Sequence, residues 1–481
     1  MRLDQLLDGV GVRALSGDPG VEVTSVTFDS RAVRRGSLHC CLPGGRQDGH
    51  RFAAAAVAAG ATAVLVQHDL DLPVTRVVVD DPRAAMAPIA AALHGHPSRS
   101  LAVVGITGTN GKTTTTHLVA HVLTAAGRRC STLGTLSGGF STPTTPEAPL
   151  LQEALAAARN RGDAAVALEV SSHALVRHRV DATAFAVAAF TGLSQDHLDE
   201  HGSMEAYYAA KATLFSAHQV GRAVVVVDDP WAVRLAGEIE ASGRVPLTRV
   251  TLADWPEGYP LPLPGEHNRR NALCAMAVAS ALGVSPRDAL SALAGAPPIP
   301  GRMEAVDAGQ PFAAYVDYAH KPGALEAVLQ AGRRPETGRV LVVFGCGGER
   351  DRSKRPEMGR VATSLADVAI VTSDNPRSEE PMGIIGDVLA GIDGRGRAEV
   401  HVEPDRRRAI ELGVRLARPG DVLIVAGKGH EAEQEIDGRR QPFDDRDEVR
   451  RAVLQGPSGP AERDTQGPSG PAERDPRGRP S

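Results

Sequence analysis

The segment from residue 101 to residue 126 combines a short apolar run, a glycine-rich loop and a helical pattern. The run covers residues 101–106, and the loop reads Gly108-Thr109-Asn110-Gly111-Lys112-Thr113-Thr114. Backbone N–H groups in such a loop, with the N-terminus of the following helix, bind phosphate oxygens. The Lys112 ammonium would reach the β- and γ-phosphates of a nucleotide, and the Thr113 hydroxyl would coordinate Mg²⁺. The segment therefore predicts a nucleotide site on a parallel, helix-covered sheet.

Apolar runs of strand length alternate with helical stretches along most of the chain, which predicts an α/β protein. Residues 1–99 form a small α/β domain that ends in a linker at residues 96–98, and residues 100–300 form a central, P-loop ATPase-like domain. Residues 301–455 repeat the alternation and predict a Rossmann-like C-terminal domain. Residues 456–481 contain most of two copies of QGPSGPAERD, at 455–464 and 466–475, and predict a disordered tail. The expected strands cover residues 21–28, 63–66, 76–79, 101–106, 164–170, 184–190, 223–227, 313–318, 340–344, 368–372 and 422–426.

The charge balance and the cysteines restrict the function classes. The chain has 53 Lys and Arg against 58 Asp and Glu, a formal net charge of −5, which argues against a nucleic-acid binder. No run approaches 18 apolar residues and no secretory signal is seen, so we expect no membrane insertion. Five scattered cysteines lack zinc spacing and fit buried thiols in a reducing cytoplasm. We expect a cytoplasmic monomer.

Lysine is rare in this chain, although basic residues are not. Only five of the 53 basic residues are lysine, so 53 − 5 = 48 are arginine. Lysine and arginine differ in shape, hydration and nucleophilicity. All five lysines lie in segments that resemble motifs, which indicates that an amine is needed at these positions: Lys112, Lys211, Lys321, Lys354 and Lys428.

The TGTNGKTT string resembles the Mur ligase superfamily, the ATP-dependent amide ligases of peptidoglycan precursor synthesis, and the related folylpolyglutamate synthetases. The resemblance extends to about residue 454. Several further strings are similar to the branch that adds the third peptide residue: residues 28–31 and 43–50 in the first domain, residues 169–173, 178–180, 196–199 and 207–211 in the second, and residues 374–381 in the third.

The resemblance implies an ATP site with two Mg²⁺ ions. It implies that Lys211 is carbamylated by CO₂ to N6-carboxylysine, a reaction that arginine cannot undergo, and that the new carboxylate helps to place a metal ion. The implied catalytic residues are Lys112, Glu169, His197, Lys211 and Arg302. The implied metal ligands are Thr113, Glu169, His197 and Lys211. The implied ATP contacts are Gly108, Thr109, Asn110, Gly111, Lys112, Thr113, Thr114, Asn268, Arg302 and Asp317.

The resemblance also implies two further binding sites. The first binds UDP-MurNAc-L-Ala-D-Glu through Ser30, Thr144, Thr145, Ser172 and Arg179. The second binds diaminopimelate through Arg350, Asp374, Asn375, Pro376, Arg377, Gly427 and Glu431. Diaminopimelate differs from lysine by a carboxylate at its far end, and the planar Arg377 guanidinium can bind that carboxylate with two hydrogen bonds. Glu431 would bind the distal ammonium.

These residues lead to the hypothesis of a ligase that adds meso-diaminopimelate to UDP-MurNAc-L-Ala-D-Glu through an acyl phosphate. Three alternatives stay open: a ligase for lysine or LL-diaminopimelate, a ligase for another UDP-sugar peptide, and a non-catalytic nucleotide-binding paralogue. The segment between residues 228 and 265 is shorter than is usual in this branch. It is therefore open whether all strands of the central domain are present and how the substrate fits there. Dehydrogenase chemistry is disfavoured because no G-x-G-x-x-G opens a later domain.

Overall fold

A computed structural model describes residues 1–456 of the chain, except 45–46, 138–142 and 335. Its strands form three larger sheets, each built from one continuous stretch of the chain, and one two-stranded hairpin. Nearly all of the predicted disordered tail lies outside the described residues. Among the described helices, none is long and apolar enough to cross a membrane.

The first sheet has five strands in the order β1-β5-β4-β3-β2, and only β1 runs antiparallel to its neighbour. Its strands are β1 (Val12–Ser16), β2 (Ser25–Thr27), β3 (Ser37–Cys40), β4 (Ala61–Val66) and β5 (Thr75–Val79). The helices are α1 (Leu3–Leu6), α2 (Ala53–Ala58) and α3 (Pro82–Leu93). Asp81 caps α3 by accepting hydrogen bonds from the N–H groups of Arg83 and Ala84. One apolar core joins α1 and α3 to the sheet.

The second sheet has six parallel strands in the order β11-β10-β9-β6-β8-β7. Its strands are β6 (Ala102–Thr107), β7 (Cys130–Leu133), β8 (Ala165–Glu169), β9 (Phe185–Phe190), β10 (Val220–Val226) and β11 (Leu247–Val250). The helices are α4 (Lys112–Ala125), α5 (Ala148–Asn160), α6 (Ser172–Val176), α7 (Leu198–His201), α8 (Met204–Ser216), α9 (Pro230–Ser242), α10 (Glu266–Ala281) and α11 (Pro286–Ala294). Helices cover both faces, so the central strands are apolar throughout.

The third sheet has six strands in the order β12-β13-β17-β14-β15-β16, and only β12 is antiparallel to its neighbour. Its strands are β12 (Glu304–Ala305), β13 (Ala313–Asp317), β14 (Val340–Phe344), β15 (Val368–Val371), β16 (Glu399–Val402) and β17 (Val422–Ala426). The helices are α12 (Pro322–Gly332), α13 (Lys354–Leu365), α14 (Pro381–Leu389), α15 (Arg406–Leu416) and α16 (Asp445–Gln455). A separate hairpin consists of β18 (Glu433–Ile436) and β19 (Arg439–Pro442).

The predicted α/β class with parallel sheets is confirmed, and most expected strands agree with the structure to within two residues. The run at 21–28 shortens to Ser25–Thr27, because only these residues pair with β3. The expected linker at 96–98 is a packed connection: Pro97 and Ser98 are buried, and the Ala184 N–H donates to Ser98 Oγ at 3.0 Å. The short segment after residue 228 still supplies a strand, Leu247–Val250, to the central sheet.

Candidate active site

The glycine-rich loop lies between β6 and α4, at the carboxyl edge of the central sheet. Gly111 has φ 83°, and a Cβ on it would lie 2.3 Å from Asn271 Oδ1, so a larger residue would clash. The Lys112 ammonium donates to the carbonyls of Gly108 and Thr109, both at 2.9 Å, and so lies over the loop. Burial and the nearby Lys321 charge lower the pKa of Lys112 to about 8. A lysine ammonium held over a glycine-rich loop is the arrangement that phosphate binding requires.

Glu169 ends β8, directly beside β6, and its carboxylate contacts the hydroxyl at the start of α4. Thr113 Oγ1 donates to Glu169 Oε2 at 3.0 Å, and Thr135 supplies a backbone N–H at 2.8 Å. Glu169 is 1% exposed, and among the described residues its carboxylate forms no ion pair. A buried carboxylate held only by neutral donors, next to a hydroxyl, fits a hard divalent cation.

His197, Lys211 and Tyr207 form a second group, which contacts the loop through Lys211 and Tyr207. Lys211 is 1% exposed and donates to the Gly108 carbonyl at 2.9 Å, with its ammonium 4.7 Å from the Tyr207 ring centre. Burial, with the charges of Lys112 and Lys321, lowers the pKa of Lys211 well below its usual value. His197 has φ 52°, an uncommon backbone conformation for a residue other than glycine. Its Nε2 lies 2.9 Å from Asp196 Oδ2.

The group of Thr113 and Glu169 and the group of His197, Lys211 and Tyr207 do not hydrogen-bond to each other in the described residues. Both interact with the Lys112 side chain. The Lys112 ammonium interacts electrostatically with Glu169 and with Asp196, and Lys211 interacts with Lys112 and Asp196. The hydrogen bonds recorded for the described residues do not join Glu169 to His197 or to Lys211. Three of the four predicted metal ligands thus belong to the loop region, since Thr113 donates to Glu169 and Lys211 donates to Gly108, whereas His197 is connected to the loop through the ring of Tyr207.

Two cations of the third domain reach the central domain. Arg302 donates from Nη2 to Thr113 Oγ1 at 2.9 Å, and its guanidinium lies 4.9 Å from the centre of the Tyr318 ring. The Lys321 ammonium forms an ion pair with Asp196, and both side chains are largely buried. These contacts join the third domain to the phosphate loop.

Two further predicted ATP contacts are Asn268, which the resemblance implies for adenine, and Asp317, which it implies for ribose. Asn268 donates to the Pro264 carbonyl at 2.7 Å and accepts from Asn271 at 3.2 Å, while Thr115 donates to Asn271 at 3.4 Å. Asp317 ends β13 and accepts the N–H groups of Met303 and Ala319, both at 2.7 Å. Burial raises the pKa of Asp317 to about 6, although the Arg302 charge opposes this shift.

Four of the five residues predicted to bind the UDP-sugar dipeptide lie beside Glu169. Thr145 donates from Oγ1 to the Glu169 carbonyl at 2.8 Å, and Arg179 donates to the Thr145 carbonyl at 3.0 Å. Thr144 lies 3.3 Å from Thr135 through their hydroxyls, and Ser172 Oγ lies 3.0 Å from His201 Nε2. Ser30 is the exception: it opens a 3₁₀ turn of the first domain and has no recorded contact with the other four among the described residues.

The predicted amino-acid pocket lies at the carboxyl ends of β14, β15 and β17. Asn375 Nδ2 donates to Glu431 Oε2 at 2.9 Å, and Gly427 N–H donates to the Asp317 carbonyl at 3.0 Å. Asp374 is buried, and its Oδ1 has no hydrogen-bond partner in the structure. A buried carboxylate oxygen without a donor suits a ligand ammonium.

The two predicted guanidinium groups of this pocket belong to facing loops. Arg377 has φ 56° and donates from Nη1 to the Gly348 carbonyl, so its side chain lies over the loop that carries Arg350. Gly348 N–H in turn donates to the Asn375 carbonyl at 2.9 Å, and a Cβ on Gly348 would lie 1.9 Å from the Pro376 carbonyl oxygen. Arg350 is exposed and available to a ligand.

The hairpin of β18 and β19 supports this pocket, and the sequence analysis did not predict it. Glu435 N–H donates to Asn375 Oδ1 at 3.0 Å, Gln434 Nε2 donates to the Asp374 carbonyl at 2.8 Å, and Arg377 pairs with Ile436 in an isolated bridge. Its turn is Asp437-Gly438, with φ values of 50° and 69°. An Asp-Gly pair between strand-length segments is a strong hairpin signal and could have revealed it.

A buried ion pair fixes the two strand ends that carry the pocket. Arg406 and Asp445 are both fully buried and joined by two hydrogen bonds of 2.8 and 2.7 Å. Arg406 also donates to the carbonyls of Ser373 at 3.2 Å and Ala426 at 3.0 Å, immediately before Asp374 and Gly427. No local motif signals this pair, because its members are 39 residues apart.

Comparisons with known proteins give the family. The family models described as "Mur ligase family, catalytic domain", "Mur ligase middle domain" and "Mur ligase, glutamate ligase domain" match residues 22–96, 106–254 and 301–429. A relative from Streptomyces coelicolor named UDP-N-acetylmuramoyl-L-alanyl-D-glutamate–2,6-diaminopimelate ligase is 43% identical, with 94% of this chain and 96% of the relative covered. One of the same name from Syntrophomonas wolfei is 39% identical, with 95% and 99% covered.

A solved structure of a ligase with that name superposes with a TM-score of 0.65 and 31% sequence identity, and covers 95% of this chain and 99% of that one. The family models and both relatives extend over all three larger sheets of this chain. The chain therefore belongs to the Mur ligase family.

Proposed function

We propose that this protein is an ATP-dependent ligase that adds meso-diaminopimelate to UDP-N-acetylmuramoyl-L-alanyl-D-glutamate. The observation that carries the proposal is the meeting of a phosphate loop, a buried carboxylate and two cations of the third domain at one cleft. The named function of relatives that match almost the whole chain supports the same substrates. Lys112, Glu169, His197 and Lys211 are all present, which disfavours the non-catalytic alternative.

The reaction has two steps. The γ-carboxylate of the D-glutamate attacks the γ-phosphorus of ATP, which forms an acyl phosphate and releases ADP. An amine of diaminopimelate, after losing its proton, then attacks the acyl carbon, forms the amide and expels inorganic phosphate. A free carboxylate is a poor acyl donor, so phosphorylation supplies the leaving group. Lys112 and Arg302 would stabilise the transferring phosphoryl group from opposite domains.

Thr113, Glu169, His197 and the carbamate of Lys211 would hold the two Mg²⁺ ions. When bound, such ions neutralise charge on the phosphate oxygens. The hydroxyl and carboxylate oxygens of Thr113 and Glu169, 3.0 Å apart, are the ligand types that Mg²⁺ prefers.

The pocket of the third domain has the charges that diaminopimelate requires. Asp374 and Glu431 offer carboxylate oxygens to an ammonium, and Arg377 and Arg350 offer guanidinium groups to the two carboxylates. Lysine lacks the distal carboxylate, so a pocket built for it would leave Arg377 without a ligand charge. We therefore favour diaminopimelate over lysine.

The proposed function is tested by phosphate release from the purified protein with ATP, the UDP-sugar dipeptide and a panel of diamino acids. We expect turnover that depends on all three substrates and is fastest with meso-diaminopimelate. Faster turnover with lysine would contradict the proposed specificity. Absence of turnover with every amino acid, while ATP still binds, would favour the non-catalytic alternative.

Lys321→Ala is expected to lower kcat/KM for ATP about tenfold, because it removes a charge-assisted contact between two domains and leaves the Asp196 carboxylate facing the phosphates. Phosphate release at varied ATP measures this effect. Arg333→Ala is the matched control, since it removes a third-domain ion pair with Asp367 on the surface. Equal effects of the two substitutions would contradict a role for Lys321 in the cleft.

We also propose that the protein acts as a monomer in the cytoplasm. All five cysteines are free, and burial raises the pKa of the Cys274 thiol to about 12, which keeps it unreactive.

A further inference from the structure

We propose that Lys428 is the positioning residue of the amino-acid pocket, which holds Glu431 and Asn375 in the arrangement that receives the distal ammonium of the amino-acid substrate. The inference rests on the proposed function, since it assigns a residue to the same pocket. Lys428 is one of the five lysines of the chain; its segment indicates that an amine is needed there, and the mechanism above does not say what the amine does.

The Lys428 side chain is fully buried and has three acceptors. Its ammonium donates to the Glu433 carbonyl at 2.6 Å, to Asn375 Oδ1 at 3.2 Å and to Glu431 Oε2 at 3.4 Å. An ammonium has three protons, so these contacts use its whole donor capacity. Lys428 therefore cannot bind the substrate while it makes these contacts, and any effect it has must pass through its neighbours.

The contacts fix which oxygen of Glu431 is free. Asn375 Nδ2 and Lys428 both reach Oε2, whereas no donor to Oε1 is recorded in the described part of the chain. Asp374, on the neighbouring loop, likewise has a buried oxygen, Oδ1, without a partner. Two carboxylates thus each keep one oxygen for a ligand, which is the arrangement that an ammonium requires.

Two carboxylates in one buried pocket repel each other, and Lys428 opposes that repulsion. Burial and the Asp374 charge raise the pKa of Glu431, while Lys428 and the Asn375 hydrogen bond lower it. The other groups that interact with Glu431 are Arg406 on α15 and the Tyr318 hydroxyl after β13. Lys428 is the only one of the cations among them that also makes a hydrogen bond to Glu431 within the described residues.

Lysine at this position also connects the pocket to the hairpin. The Glu433 carbonyl belongs to β18, and Glu435 of the same strand donates to Asn375 Oδ1. Lys428 and Glu435 thus share the Asn375 oxygen, which sets the direction of the Asn375 amide and aims its Nδ2 at Glu431. An arginine would be too long and too wide for a fully enclosed site with these three acceptors.

Lys428→Met, which keeps the side-chain volume nearly unchanged, is expected to raise KM for diaminopimelate at least about tenfold and to leave KM for ATP unchanged. The acid limb of kcat/KM for diaminopimelate is expected to move to higher pH, because Glu431 keeps Asp374 and loses a cation. Arg397→Met is the control: Arg397 is a cation of the same domain that donates to the Leu365 carbonyl at 2.6 Å and to the Ala366 carbonyl at 3.3 Å, away from the pocket residues.

A double-mutant cycle with Glu431→Gln separates positioning from general support of the fold. If Lys428 acts through Glu431, Lys428→Met adds no more than twofold to KM when Glu431 is already glutamine. Additive effects, or an unchanged pH profile in the single variant, would overturn the inference. Urea denaturation of each variant detects loss of folding, in which case Lys428→Gln, a smaller neutral side chain that fits the enclosed site, replaces Lys428→Met in the cycle. Absence of turnover in the wild type would instead count against the proposed function.

Discussion

Replacing Lys211 with arginine is expected to lower kcat about 10²–10³-fold, although the substitution preserves the positive charge. Lys211 is 1% exposed, and its lowered pKa leaves more neutral amine at pH 7 than an exposed lysine has. A neutral amine attacks the carbon of CO₂, forms an N–C bond and releases a proton, which gives a carbamate. The guanidinium of arginine does not react in this way. The substitution would therefore remove a carboxylate near His197 and leave a permanent cation.

Mass spectrometry and kinetics together test this expectation. The intact wild-type protein should gain the mass of one CO₂ in bicarbonate buffer, and Lys211→Arg should not. Lys211→Ala should regain part of its activity when a short carboxylic acid is added, because the acid can occupy the space of the missing carbamate. Thr213→Ala is a matched control on α8, where the hydroxyl only donates to the Ala210 carbonyl. Wild-type turnover in Lys211→Arg would refute the role of a carbamate.

The sequence was sufficient to predict the elements that lie close together on one sheet. Thr113 lies after β6, and Glu169 ends β8. The two strands pair directly, so the two side chains meet at one edge of the sheet. Apolar runs predicted these strands well. A parallel strand covered by helices on both faces is apolar along nearly its whole length, so it is easy to recognise in the sequence. Asp317, Asp374 and Gly427, which the resemblance implied, also lie at or just after the ends of strands of the third sheet.

Contacts between distant segments could not be predicted in the same way. The ion pair of Lys321 with Asp196 joins residues 125 apart, and the pair of Arg406 with Asp445 joins residues 39 apart. Each pair depends on how separate segments approach one another after folding, so the sequence could mark Lys321 and Asp196 as parts of motif-like segments but could not show that they pair. The hairpin of β18 and β19 is a different case: its Asp-Gly turn was visible in the sequence, but its strands are mostly polar and lack the apolar pattern by which strands were predicted.

Replacing Arg377 with alanine is expected to lower kcat/KM for diaminopimelate about 10²-fold and to leave kcat/KM for lysine nearly unchanged. The loss follows from a partly buried substrate carboxylate that loses its bidentate partner, which costs about 2–5 kcal/mol. Arg377 is held for this task by an uncommon backbone conformation, by the Glu435 carbonyl and by the hairpin bridge to Ile436. The wild-type preference for diaminopimelate would then fall by the same factor.

Two neighbouring arginines make the test specific. Arg350→Ala should lower kcat/KM for diaminopimelate and for lysine by similar factors, because both substrates carry the α-carboxylate that Arg350 would bind. Arg352→Ala should change neither, because Arg352 is 70% exposed and pairs with Glu379. An equal loss for both substrates in Arg377→Ala would mean that Arg377 binds the shared α-carboxylate. Selection of diaminopimelate would then have to come from the carboxylates at the ammonium end, and the distal carboxylate would need another partner.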